Sequence, residues 1–349
     1  MKSQTPVQKE GFPRIRPTIS QVAREAGVSV STVSHAFSGK RTISHDVKEH
    51  IFEIAKRSGY KPNFAAQALA CRTTKTIGVM VRNATEQYFP LHLQAISTAA
   101  QKRGYRVSVG LSGSDPQIVQ QYLDNFASGQ VDGSLILTAD VSDEQVIALT
   151  QQGFIIGTPL RYIPGYEYLS GAQMDIAVAF RRLLQYLYSM GHRNFGFICG
   201  KPAEMQERYD EMHNFVKERG LNYSPSHQII NIDTFEESQV GVTRLLKNHP
   251  EITAIACTDD VLAVGAVMGA HDLGLRIPQD ISITGFDDVP IGRFCFPRLT
   301  TVRIPIEDLG TISVNSLLDR IAGNPPSPVG KLPLEILIRE STTVPREKK

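Results

Sequence analysis

TISQVAREAGVSVSTVSHAF, residues 18–37, decides the reading of this 349-residue chain. An apolar-periodic segment, about Ile19–Ala26, runs to Gly27, and a second follows at about Val30–Phe37. Thr18 and Gln21 form a capping box before the first, and Ser29 can cap the second. Downstream, Gly39-Lys-Arg-Thr is a loop, and Ser44 can cap a third helix, about His45–Ser58, closed by Gly59. Val22, Ala23, Ala26, Val28, Val33, Ile51, Ile54 and Ala55 recur at helical spacing and form the predicted shared core. Helix, glycine turn and helix within about twenty residues make a helix-turn-helix pattern.

In that pattern the second helix enters the major groove with its N-terminal residues toward base edges. Those residues are Val30, Ser31, Thr32, Ser34 and His35. Ser31 and His35 can hydrogen-bond to bases, and Val30 can pack on a thymine methyl. Thr32 and Ser34 suit phosphate, which fixes position without reading sequence. The same hydroxyls also fit plain caps and solvated side chains, and for Ser29 the cap is the preferred reading.

Charge follows the same division. Residues 1–76 hold 13 Lys/Arg against 5 Asp/Glu, a net of +8, and the remainder holds 24 against 30, a net of −6. A basic head on a mildly acidic body points to a polyanion met by the head alone, although a surplus of eight also fits an ordinary solvated surface. Residues 1–16, with two prolines and no apolar period, read as a flexible basic tail. Pro62 breaks the chain, and residues 63–70 are helix-prone, capped by Asn63, but too short to persist alone. Residues 72–76 are a polar connector.

Beyond the connector, short apolar strands alternate with helical segments. Strands are predicted at Ile77–Val81, Arg106–Gly110, Gly133–Leu137 and Phe154–Ile156, then at Phe195–Ile198, Gln228–Ile232, Ala254–Cys257 and Ile281–Thr284. Helical segments fall near 90–103, 117–128, 175–190, 204–219, 237–247 and 260–273. This alternation means parallel sheets with helices on both faces, and two runs of it mean two doubly wound subdomains. Their strand ends, facing each other, make a natural ligand cleft.

The 18–37 stretch resembles the N-terminal signature of the lactose-repressor (LacI/GalR) family. The resemblance continues through Gly59-Tyr-Lys-Pro-Asn, Ala68-Leu69-Ala70, Thr76-Ile-Gly-Val, Val131-Asp-Gly, Gly191-His-Arg, Gly274-Leu-Arg-Ile-Pro-Gln-Asp-Ile-Ser, Gly285-Phe-Asp-Asp-Val and Leu299-Thr-Thr-Val. It covers about residues 17–345. It implies an all-α helix-turn-helix head joined to an α/β bilobal, periplasmic-binding-protein-like sensor. The implied division is a flexible tail (1–16), a DNA-binding domain (17–62), a hinge helix and linker (63–75) and a ligand-sensing and dimerisation domain (76–349). Within the last, the N-subdomain is about 76–174 and 304–323, and the C-subdomain about 175–303 and 324–345. Leu69 would be an apolar wedge pushed between central base pairs in the minor groove. The residue after the wedge is often basic in the family and is Ala70 here, which weakens one contact to DNA.

The resemblance also carries effector contacts onto this chain. Tyr88 and Phe89 follow the first sensor strand, where they stack on or gate a ligand, or simply cover the first helix. Asp287 matches a carboxylate that accepts from ligand hydroxyls or amines, whereas Asp288 reads as structural. Phe235 lies in a loop that often supplies an aromatic platform. Two departures stand out: Glu211 where an Arg is usual, and Asp259-Asp260 where Asn-Asp is usual. If Glu211, Asp259 and Asp287 all face the cleft, a cationic or donor-rich ligand is favoured. Arg208, three residues before Glu211, can restore the missing Arg.

The expected function is a DNA-binding transcriptional regulator, a repressor, acting as a homodimer on a near-palindromic operator under control of a sugar or an amine-bearing effector. Ligand closure of the cleft rotates the subdomains and changes hinge spacing, with either sign of response open. The end of the chain carries no heptad tail, which favours a dimer over a tetramer. The alternative is a bilobal small-molecule-binding protein or an enzyme without a regulatory role. Against these, the chain has no GxGxxG after a strand, P-loop, GxSxG or HExxH motif, and no secretory signal. Cys71, Cys199, Cys257 and Cys295 form no CxxC pair, so neither a metal site nor a cofactor is expected. The expected location is cytoplasmic, at the nucleoid.

Overall fold

The computed structural model describes residues 17–39, 42–63, 66, 68, 71, 73–84, 87–202, 204–326 and 328–346. Its contacts divide the chain into two compact units, residues 1–75 and 76–349.

The first unit packs helices Ile19–Glu25, Val30–Ser38 and His45–Ser58. Thr18 Oγ1 accepts from Gln21 N at 3.3 Å. The return bond of the expected capping box is not made, because the Gln21 amide donates along the helix to Glu25 at 3.2 Å instead. Gly27 takes φ +66°, a left-handed turn that a side chain would strain. Ser44 stands at the start of the third helix without a side-chain cap bond, and Asp46 supplies a negative charge in its first turn. Val22, Val33 and Ile51 are fully buried among Ala23, Ala36, Ile54 and Ala55. Each such valine or isoleucine is worth roughly 1.5–3 kcal/mol on burial. Ala26 and Val28 sit only partly buried at the edge of this core. In the expected hinge, Ala66, Ala68 and Cys71 are helical. Leu69 and the tail 1–16 lie outside the described residues.

The second unit holds two four-stranded parallel sheets. In one, β2 (Arg106–Leu111), β1 (Thr76–Val81), β3 (Gly133–Ile136) and β4 (Ile156–Gly157) are neighbours in that order. In the other the order is β7 (Gln228–Ile229), β6 (Phe195–Ile198), β8 (Ala254–Cys257) and β9 (Ser282–Thr284). Alternation along each strand feeds two cores. Phe195, Phe197, Ala254 and Ala256 join the cluster with Phe180, Phe215 and Phe286. Ile198, Ile255 and Cys257 point the other way, to Val242, Leu262 and Val267. In the first sheet Ile77, Val79 and Val81 pack with Leu317, while Met80 packs with Val119 and Leu123. This is the period-2 pleat of a sheet covered on both faces.

Several elements differ from expectation. β7 is shorter than expected, ending at Ile229; Asn231 then takes φ +62° while its N–H still donates to Gly200 O at 3.0 Å. The strand expected at Phe154–Ile156 pairs only from Ile156. Helices Asp143–Gln151 and Ile306–Ile321 fall outside the predicted alternation. The first carries a full capping box between Ser142 and Gln145, a readable local signal. The second lies against the Tyr88–Lys102 helix at Gly310, where an added Cβ would stand 2.8 Å from Ala95 Cβ. The chain passes between the lobes after β5 (Ala172–Met174), after β10 (Thr301–Arg303), and between β11 (Gly330–Leu332) and β12 (Glu335–Leu337). β11 pairs with β5 and β12 with β10.

Candidate effector cleft and DNA-reading helix

In the head, Ser29 Oγ accepts from Thr32 N at 3.0 Å and caps the second helix. It also lies 2.6 Å from Ser31 Oγ and 2.8 Å from Thr32 Oγ1, so three hydroxyls cluster at the helix start. Val30 is 45% exposed although apolar. Ser31 is exposed, and Thr32, Ser34 and His35 are half-buried. Val33 and Ala36 point to the core. The helix thus turns its apolar residues inward and leaves an apolar tip and hydroxyls at its N-terminus. His35 Nδ1 is buried without a partner. Asn63, beyond the third helix, is exposed.

In the second unit a cavity of about 450 Å³ lies at the carboxyl ends of both sheets. One lobe supplies Arg82 just after β1, Ile136–Ala139 at the end of β3, Tyr88 and Phe89, and the 160–162 loop. The other supplies Gly200 and Lys201 after β6, Ile232 and Asp233 after β7, Asp259 after β8 and Asp287 after β9. In both sheets the first strand has the next on one side and the third on the other, so the chain order reverses beside it. Open α/β sheets place ligands at that switch point.

Arg208, in the first turn of helix Gln206–Glu218, is the buried cation of the cleft. Its Nη2 stands 3.5 Å from Asp287 Oδ1, its guanidinium lies 4.2 Å from the Phe286 ring centroid, and Nη1 donates to Met205 Sδ at 2.8 Å. Its Nε is buried without a partner. Asp287 adopts φ 100°, held by its N–H bond to Val302 O at 2.8 Å. Burial pushes its carboxyl up to about 7 even though Arg208 pulls the other way. The buried Tyr88 hydroxyl is held well above its ordinary range by desolvation and then by Asp287. Beneath Tyr88, at 4.6 Å between ring centroids, lies His92. Burial pushes that imidazole down to about 4, so it is neutral.

The two adjacent aspartate pairs divide their work. Asp259 Oδ1 accepts from Leu262 N at 2.8 Å, capping helix Asp260–His271 from the cavity wall. Asp260 is fully buried, accepting from Thr301 Oγ1 at 2.6 Å and Val289 N at 2.9 Å. Asp288 binds Arg293, Arg303 and Arg339 at 3.0, 2.9 and 2.5 Å, a structural hub as its sequence position suggested.

Two of the expected residues lie outside the lining. Glu211 does not line the cavity; its carboxylate pairs with Arg181 at 2.6 Å. Only the first turn of its helix reaches the cavity, and one turn further on is roughly 5 Å away along the axis. Phe235 does not line it either, because Thr234 caps the helix that Phe235 begins, and the cavity is met by Ile232 and Asp233 before that turn. Of the three expected carboxylates Asp259 and Asp287 line the cavity, the latter facing Arg208, and Glu204, Glu207 and Asp233 line it too.

Sequence reasoning missed Arg82, Arg161, Tyr162, Lys201 and Glu204. Arg82 and Glu204 form an ion pair across the cleft, and Ile291 N donates to Gln87 Oε1 across it at 2.9 Å. Lys201 pairs with Asp233 at 3.1 Å. Arg161 is fixed by Asp143 at 3.1 Å and Val141 O at 2.6 Å. Arg82 and Lys201 lie within three residues of a strand's carboxyl end, a rule that would have found them; the 160–162 loop carries no such signal.

Comparison with known proteins follows the two units. Residues 18–63 match the profile of bacterial regulatory proteins, lacI family, and residues 184–342 that of a periplasmic binding protein-like domain. The chain is 32% identical over 335 residues to the ribose operon repressor of Haemophilus influenzae, covering 93% of this chain and 98% of that one. It is 30% identical over 308 residues to the HTH-type transcriptional repressor PurR of the same species, covering 87% and 91%. The lac repressor dimer bound to operator and the anti-inducer ONPF shares the fold at a TM-score of 0.80, with 22% identity over 94% of this chain and 99% of that one. The CelR–cellobiose complex superposes at 0.65 with 26% identity, covering 93% and 100%.

Proposed function

The chain belongs to the lacI family of bacterial regulatory proteins, and we propose that it is a transcriptional repressor whose operator affinity is set by a small molecule held between its sensor lobes. It binds DNA and works as a dimer. The observation that carries the reading is the pairing, in one chain, of a capped helix with an exposed N-terminus and a bilobal unit whose cavity sits at both sets of strand ends. Val30, Ser31 and His35 read bases, Thr18, Thr32, Ser34 and Asn63 position the head on phosphates, and Ser29 acts through the helix cap. Leu69 wedges the minor groove.

The effector is a polyhydroxylated, sugar-like molecule. In support, Arg208 and Lys201 offer donors beside the acceptors Asp259 and Asp287, and Tyr88 and Phe89 bring apolar surface for the face of a ring. The Arg208–Asp287 pair argues against a simple ammonium site. Phe294 and Phe296, 86% and 91% exposed, offer an apolar patch for the partner copy. Acting on DNA, the protein works in the cytoplasm. The test is selection of operator DNA by the full chain from a random pool, repeated with candidate sugars. A half-site palindrome released or tightened by one sugar supports the reading, and sequence-independent binding overturns it.

A further inference from the structure

At the end of the second sheet opposite the cavity, His227 meets two residues more than twenty positions further along the chain. His227 directly precedes β7, and His249 and Glu251 precede β8. Their nitrogen and carboxylate atoms all lie within 4.8 Å of one another. His249 Nδ1 is 3.1 Å and His227 Nε2 3.5 Å from the same Glu251 Oε1. Two ligands each about 2.1 Å from one ion stand about 3.0–3.4 Å apart at octahedral or tetrahedral angles, a spacing that Glu251 Oε1 has to His249 Nδ1 and comes within about 0.1 Å of having to His227 Nε2. We propose that His227, His249 and Glu251 bind a divalent transition-metal ion of the zinc class.

The donor set suits that class. Imidazole and carboxylate together select zinc, cobalt or nickel over magnesium or calcium, which take oxygen ligands. His227 is buried and oriented: its Nδ1 lies 3.0 Å from Ser224 Oγ and accepts from Ser224 N at 3.1 Å. In that tautomer Nε2 carries the ring proton and directs it at Glu251. An ion at Nε2 takes the place of that proton; with the proton moved to Nδ1, Ser224 Oγ accepts it as the outer contact of the metal-bound imidazole, and the bond from Ser224 N to Nδ1 is given up. His249 and Glu251 are half-buried, leaving a side open for entry and for a completing water. The ion would tie the turn before β7 to the His249–Glu251 segment before β8, stabilising the sheet without touching the effector cavity.

Titration of the full, untagged chain with cobalt(II), followed by visible absorption, tests this directly. One saturable equivalent per chain with four- or five-coordinate d–d bands is expected, displaced by zinc, and zinc should raise the unfolding midpoint by several degrees. His249→Ala and Glu251→Gln, at half-buried positions, should each weaken binding at least tenfold, while His213→Ala, whose imidazole lies against the Tyr209 ring and supplies none of the three ligands, leaves it unchanged. Absence of the bands overturns the proposal, as does their persistence in both variants. In that case Glu251 serves only as a hydrogen-bond acceptor for two imidazoles.

Discussion

Arg208 Nη2 stands 3.5 Å from Asp287 Oδ1, with both side chains about nine-tenths buried in the wall of the effector cavity. A cation and an acid that meet in a desolvated cleft are each available to a ligand, since neither exhausts its bonding capacity on the other. The pair sets a donor beside an acceptor in the wall of the cleft.

Removing the cation should damage ligand binding more than folding. Arg208→Met keeps much of the stem that packs on Phe286 and deletes the donors. Hydrogen bonds to charged groups contribute about 1.5–3 kcal/mol, so affinity for the effector should fall roughly 10- to 100-fold. Calorimetric titration of wild type and variant with the identified effector reads this. Unchanged affinity would remove Arg208 from the site.

Asp287 should make stability fall with rising pH. Its folded carboxyl keeps its proton to about pH 7, whereas the unfolded one releases it near 3.8. Between those values the folded state holds more protons, so stability declines as pH rises, by up to about 1.4 kcal/mol per unit of difference. His92, lowered to about 4, contributes the opposite slope between there and its unfolded value. Urea unfolding of wild type and Asp287→Asn at pH 5 and pH 8 isolates the aspartate. The wild type should lose stability relative to the variant at the higher pH; equal changes would mean that Asp287 titrates normally.

Gly285→Ala should destabilise the sensor sharply. An added Cβ would fall 2.1 Å from Asp260 Oδ1, and that carboxyl is held by Thr301 and Val289. The overlap meets a buried, doubly bonded group, so a loss on the order of 2–3 kcal/mol is expected in denaturant unfolding. A loss below about 0.5 kcal/mol would mean that Asp260 is free to move.

For the DNA head, Leu69→Ala should weaken operator binding far more than nonspecific binding, because wedge burial is gained only on kinked DNA. Equal losses on operator and random DNA would refute the wedge. Changing His35 to Ala should relax preference at one symmetric position of the half-site, whereas a uniform loss would make it a phosphate contact.

By itself the sequence determined what local rules control. Ser29 as a cap and Gly27 as a left-handed turn depend on bonds and dihedral angles spanning a few residues. The two strand-helix runs depend on side-chain periods just as short. Only the tertiary structure decided which charged groups meet. Glu211 and Arg208 are three residues apart, yet one pairs with Arg181 outside the cavity and the other with Asp287 at its wall. Arg82 and Glu204 meet across the lobes although 122 positions separate them. A charge's partner is set by distances of a few ångströms after the chain has crossed between lobes, and no period along the sequence encodes that distance.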